Sequence, residues 1–94
     1  MFEIQMTPEN VIMLTGRFDS LHSEKAMKIF TEVHETVTVD FKNLEYISSA
    51  GLGVLIATQK RLEKSGHQLR LKNLNKHIRE IFSYAGFDMI FEIL

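Results

Sequence analysis

Few residues in this chain are arranged for chemistry, and the most telling are two adjacent hydroxyls. Ser48 and Ser49 stand in "YISSAGLGVL", between an apolar strand-like stretch and an apolar helix-like one. A serine at such a junction is ordinarily an N-cap, accepting a backbone N–H and contributing about 1 kcal/mol. One serine suffices for that. The second permits another use, because the first turn of a helix exposes unpaired N–H groups at the positive end of its dipole. A phosphate ester on Ser49 would add about −1.5 to −2 charge at neutral pH, and a helix N-terminus holds such a group with little strain. Cap and modified residue both remain open on this evidence.

Catalytic readings are poorly supported. A nucleophile elbow reads Gly-x-Ser-x-Gly, whereas Ile47 lies two residues before Ser49 and only Gly51 fits after it. The four histidines, His22, His34, His67 and His77, are scattered. None has a recognisable acidic partner or metal-ligand spacing to another strong ligand. "GLG" at 51–53 is not a dinucleotide fingerprint, and no phosphate-cradling Gly-x-x-x-x-Gly-Lys loop exists. No enzyme activity, metal or cofactor is therefore expected. Gly51 and Gly53 read instead as places where another backbone comes close, in the same molecule or in a partner. "KRLEK" at 60–64 is a basic patch, either a solvated face or a surface for an acidic partner.

Bulk properties narrow the class. Ninety-four residues suit one domain, 1–94, with a single core. A net charge of −1 gives no reason to expect nucleic-acid or membrane-surface binding. The absence of cysteine removes disulfides and thiolate metal sites and agrees with a cytoplasmic setting. "GLGVLIA" is far too short to span a membrane, and "MFEIQMTPEN" has no leader pattern.

The elements that would position the serines follow from hydrophobic period. "FEIQM" and "VIMLT" alternate and flank "TPEN", so the chain opens on a hairpin that Gly16 ends. Ala26, Ile29, Phe30 and Val33 form one helical stripe, with Ser20 or Ser23 as its cap. "TVTVDF" is β-branched and alternating, a third and central strand. A second helix runs from about 49 to 65, burying Leu52, Leu55, Ile56 and Leu62 and stopping at Gly66. "HQLRL" is a short strand. A third helix is capped by Asn75, buries Ile78, Ile81, Phe82 and Ala85, and closes at Gly86; "MIFEIL" is the last strand. Met6, Met13, Met27 and Met89 fall mostly in strand or helix stripes and are expected in the core. The order β-β-α-β-α-β-α-β predicts an α/β fold: a mixed sheet of about five strands, parallel in its middle, with helices packed on it and none after the last strand. "GRFDS" and "KNLEYISSAG" then read as the loops at strand C-termini, where such folds carry function.

Taken together, "VDFKNLEYISSAGLGVL", "LTGRFDS" and "IREIFSYAGFDMIFEI" resemble, in order and spacing, the STAS domain family. The resemblance is to its small single-domain anti-sigma factor antagonists, and it covers nearly the whole chain. The motif of these relatives is Asp-Ser-x-Gly-Leu-Gly after a central strand. By position, the resemblance implies that Ser49, followed by Ala50 and Gly51, is a phosphorylated serine, and that Asp19 is the acidic residue of the preceding loop, close to it in space. Ser48 replaces the family's Asp and is a second candidate hydroxyl. The implied partners are bacterial proteins. An ATP-dependent serine kinase of the GHKL type, which is also the anti-sigma factor, binds the unmodified form and so frees a sigma factor. A metal-dependent serine phosphatase resets the switch. On this reading Asp19, Ser48, Ser49, Ala50 and Gly51, with Gly53, Ala57 and Lys60 along the second helix, form the partner surface. The alternative is a non-switching scaffold or regulatory subunit, in a stress-sensing assembly or a lipid transport complex, with Ser49 merely a cap.

Overall fold

The computed structural model of the chain describes all residues, Met1–Leu94. Strand β1 (Phe2–Met6) turns back into β2 (Val11–Phe18); α1 (Ser23–Phe30), β3 (Val37–Ile47), α2 (Ser49–Glu63), β4 (Leu69–Lys72), α3 (Lys76–Tyr84) and β5 (Glu92–Ile93) follow. The sheet order is β1-β2-β3-β4-β5, antiparallel at the β1–β2 edge and parallel elsewhere. The predicted mixed sheet, opening hairpin and central third strand are all present.

Several boundaries differ from the expectation. Gly16 does not end β2: it adopts φ +88° inside the strand, which continues to Phe18. The stretch "KNLEYI" is not a loop but the second half of β3. Leu44 and Ile47 are both buried yet three residues apart, which breaks the two-residue period of a flat strand. Two register shifts resolve this: Met13 to Thr15 faces Asp40 to Asn43, and Gly16 to Arg17 faces Leu44 to Tyr46, so β3 carries an extra residue each time. The bulges return both apolar residues to the core face. At the C-terminal end, Phe87–Met89 is a 3₁₀ turn, and β5 is only two residues of the six expected as strand.

One face of the sheet buries Ile12, Leu14, Phe18, Val37, Val39, Leu69 and Leu71. Helix α1 contributes Ala26 and Phe30, α2 Val54, Leu55 and Leu62, and α3 Ile78 and Phe82. Phe82 sits edge-on to Phe41 at 6.0 Å and tilted against Phe91 at 5.7 Å, fixing α3. Leu52, Ile56 and Ile81 are only partly buried, and Ala85 lies exposed just past α3. The methionines are largely not core: Met6 and Met89 are exposed, and Met13 and Met27 are half-buried.

Helix α2 is pinned by polar contacts as well. Gln59 is buried; its Oε1 accepts the Leu69 N–H at 2.8 Å and its Nε2 donates to Glu63 at 3.0 Å. Arg61, counted above in the basic patch, turns inward. Its Nη1 donates to the Val33 carbonyl at 2.8 Å and its Nη2 to that of Phe30 at 2.7 Å, closing the C-terminal end of α1 with a cation. Of that patch's cations, Lys60 and Lys64 remain exposed, with Glu63 exposed between them.

Candidate functional site

The N-terminus of α2 meets the end of β2. Ser48 N–H donates to the Phe18 carbonyl at 2.9 Å, and Phe18 pairs in register with Ile47. The chain just before Asp19 therefore lies against the chain just before Ser49, and their loops leave the same end of adjacent strands. Gly51 makes this possible. A Cβ at Gly51 would come within 2.9 Å of the Phe18 carbonyl and of Ile47, and 3.0 Å from the Phe18 ring. Gly51 is buried, so the backbone it admits belongs to its own molecule.

The two serines divide their tasks. Ser48 has extended backbone (φ −93°, ψ 174°), and its Oγ accepts the Gly51 N–H at 3.3 Å, which makes it the N-cap. Its side chain is half-buried. Ser49 is the first helical residue, is exposed, and its hydroxyl has no hydrogen-bond partner. No acidic residue occupies the first turn of α2, so the positive end of its dipole is unneutralised by its own sequence. Ala50 is half-buried. Beyond it, Gly53, Ala57 and Lys60 are exposed, and with Ser49 they run down one side of the helix. A Cβ at Gly53 would meet nothing within 4 Å.

Asp19 is engaged within its own loop. Its Oδ1 accepts the Leu21 N–H at 3.1 Å and meets His22 Nδ1 at 2.7 Å, so its carboxylate bonds stay within its own loop. Partial loss of water raises its pKa, but the hydrogen bond and charge of His22, with the backbone amides of Leu21 and His22, outweigh this and hold the carboxyl below its ordinary value. His22 is also the N-cap position of α1, without a side-chain capping bond, so neither Ser20 nor Ser23 caps that helix. Ser23 Oγ instead donates to the Ser20 carbonyl at 3.1 Å. A carboxylate partner for one histidine was not recognisable from the sequence; the spacing Asp19-x-x-His22 at a helix start was the only signal. An Asp–His pair can orient a general base, but no hydrogen bond joins His22 to Ser48 or Ser49, and its ring lies against Phe2 at 5.4 Å. The other histidine with a built contact, His67, accepts the Thr36 N–H at 3.2 Å. No cluster of three or more metal-binding side chains exists, and no helix is long and apolar enough to cross a membrane.

The sequence that builds this arrangement is matched by a known family. The family model described as Mlab, STAS domain, covers residues 2–94.

The chain belongs to the STAS domain family.

Among relatives of this STAS domain, a Bordetella bronchiseptica protein named as an anti-sigma factor antagonist, BtrV, is 36% identical over 82 residues, 87% of this chain and 70% of the relative. The anti-sigma-B factor antagonist of Bacillus subtilis is 36% identical over 52 residues, 55% of this chain and 48% of that protein. In three dimensions, the anti-sigma factor antagonist SpoIIAA in its unphosphorylated form superposes with a TM-score of 0.74 at 17% identity, covering 100% of this chain and 87% of the other. That likeness bears on the fold.

Proposed function

We propose that this STAS domain is an anti-sigma factor antagonist in a bacterial partner-switching pathway, acting in the cytoplasm as a substrate and binding module and not as an enzyme. Its unmodified form binds an anti-sigma factor that is also an ATP-dependent serine kinase of the GHKL type, and so frees a sigma factor. The kinase phosphorylates Ser49, the complex separates, and a metal-dependent serine phosphatase restores the hydroxyl. The single observation that carries this reading is the division of labour between the serines. Ser48 already serves as the cap, so the exposed Ser49 hydroxyl has no structural task.

The same geometry favours Ser49 over Ser48 as the acceptor. Phosphorylating Ser48 would disturb the bond to the Gly51 N–H, whereas a phosphate on Ser49 projects from the first turn toward solvent. Asp19 lies on the neighbouring loop, and Ser49, Gly53, Ala57 and Lys60 extend the surface along α2. Small side chains at Gly53 and Ala57 allow a partner helix to come close. A dianion in the middle of that patch must lose water and face the partner's acidic groups, and such like-charge juxtaposition costs several kcal/mol. The switch thus needs no change of fold.

Incubation with a candidate kinase and Mg·ATP, followed by mass spectrometry, tests the reading. A gain of one phosphate on the 46–60 segment at Ser49 supports it. An unmodified chain with every anti-sigma factor kinase of the source organism overturns it and leaves a non-switching scaffold.

A further inference from the structure

Strand β1 is one edge of the sheet, with β2 on its inner side and no strand beyond it. Its pairing with β2 fixes which backbone groups point outward. The Arg17 N–H donates to the Met1 carbonyl and the Thr7 N–H to the Val11 carbonyl, both at 2.8 Å, and the register between these bonds is unbroken. Residues of an antiparallel ladder alternate between bonding to the partner strand and facing away from it. Met1, Glu3, Gln5 and Thr7 therefore face β2, while the N–H and C=O groups of Phe2, Ile4 and Met6 line the free edge. Such an edge is a template for another strand, and proteins blunt it with a short strand, a lysine, a proline or a bulge. The opposite edge is blunted, because β5 is only two residues long. β1 has five residues, FEIQM, with no proline, lysine or bulge.

The side chains of β1 select the occupant. Glu3 and Gln5 are exposed on the face opposite the buried Phe2 and Ile4, and Met6 is 45% exposed at the strand's end. Laid antiparallel across a two-fold axis at Ile4, a second β1 sets Ile4 opposite its own copy and Phe2 opposite Met6. Each of these pairs exchanges both N–H···O bonds, so every group on the free edge finds a partner. On the exposed face Glu3 stands opposite Gln5 of the second copy, whose amide donates to the carboxylate, and symmetry repeats the pair. The neighbouring registers are worse. Centring on Glu3 sets two carboxylates directly opposite, which is destabilising, and leaves Met6 unpaired. Centring on Gln5 brings Phe2 against Pro8, which has no N–H to donate. We infer that a second copy of this chain occupies the β1 edge, antiparallel and centred on Ile4, so that two sheets join into one. Phe2 and Ile4 are only 4% and 8% exposed in the single chain. Pairing therefore covers little further apolar surface, and the dimer is weak, with a Kd of about 1–100 µM. β2 separates this edge from β3 and the start of α2, so the pairing does not depend on the function proposed above.

The test uses the full chain with an untagged N-terminus. Sedimentation equilibrium from about 1 µM to 1 mM is expected to show the mass rising from 10.9 kDa towards twice that value. Gln5→Glu sets glutamates opposite each other in both symmetric pairs and should weaken the dimer about tenfold. Gln5→Lys sets a lysine opposite Glu3 and should tighten it about threefold to tenfold. The double variant Glu3→Lys/Gln5→Glu restores opposite charges across the axis and should bind at least as tightly as wild type. Both sites are exposed, and thermal melts at low concentration check that each variant is folded. Amide exchange followed by NMR gives a second readout: the Ile4 and Met6 N–H groups should gain protection as concentration rises, while those of Glu3 and Gln5, already bonded to β2, should not change. A chain that stays monomeric throughout overturns the inference, even if a strand of another protein adds to the edge. A dimer indifferent to the charge at position 5, or one that leaves the Ile4 and Met6 amides unprotected, forms through another surface and overturns it equally.

Discussion

Replacing each serine separately with alanine should affect stability in opposite proportion to its role in signalling. Ser48→Ala removes the side-chain acceptor for the Gly51 N–H. That bond is 3.3 Å long, beyond the usual 2.9–3.0 Å, so its own contribution lies at the low end of the N-cap range, about 0.5 kcal/mol. The donor, however, belongs to a buried glycine packed on Phe18 and Ile47. Leaving it unpaired adds a desolvation penalty of about 1 kcal/mol. The sum, about 1–1.5 kcal/mol, lowers Tm by roughly 4–10 °C in a domain of this size. Ser49→Ala removes an exposed hydroxyl without a partner and should stay within about 0.5 kcal/mol of wild type. Urea titrations of both variants, at equal m-value, give the two differences directly. Ser48→Asp should retain wild-type stability, because aspartate caps as well as serine and suits the helix dipole. If Ser49→Ala loses as much stability as Ser48→Ala, the Ser49 hydroxyl is structural and the reasoning fails.

Other variants probe the supporting framework. Gly51→Ala forces a Cβ to within 2.9 Å of the Phe18 carbonyl and should destabilise by about 1–3 kcal/mol in a denaturant titration. Gly53→Ala meets open space and should stabilise the domain by up to about 1 kcal/mol through helix propensity, while weakening capture of the anti-sigma factor in a pull-down; unchanged capture would take Gly53 off the partner surface. Arg61→Ala removes two charged hydrogen bonds to the Val33 and Phe30 carbonyls and should cost about 2–3 kcal/mol by the same titration, with Arg61→Lys restoring only part because a lysine cannot fork across both acceptors.

The element order and the central strand were legible because their apolar periods are clean: Ala26 to Phe30 for α1, Val37 and Val39 for β3, Ile78 to Phe82 for α3. Asn75 was legible as a cap, and its Oδ1 does accept the Ile78 N–H at 2.8 Å. What failed was local pattern broken by long-range pairing. Two bulges place Leu44 and Ile47 on one face, so "KNLEYI" loses its strand signature, and Gly16 looks like a terminator although strand pairing carries the chain through it. Arg61 read as a surface cation because the carbonyls it binds lie 28 and 31 residues away. Within the site, the serines and Asp19 could be picked out, but not which serine caps, nor that Asp19 spends its carboxylate on Leu21 and His22. Those depend on one φ/ψ pair and one short turn, which residue types alone do not specify.

The central claim is that charge at the mouth of α2, and no change of fold, decides who binds. The direct measurement is the affinity of the anti-sigma factor for the chain before and after stoichiometric phosphorylation at Ser49, read by calorimetry alongside a thermal melt of the free modified chain. The account predicts a loss of roughly a thousandfold, corresponding to about 4 kcal/mol, with Tm shifted by no more than about 2 °C. Unchanged affinity, or a modified chain that melts at markedly lower temperature, would contradict it.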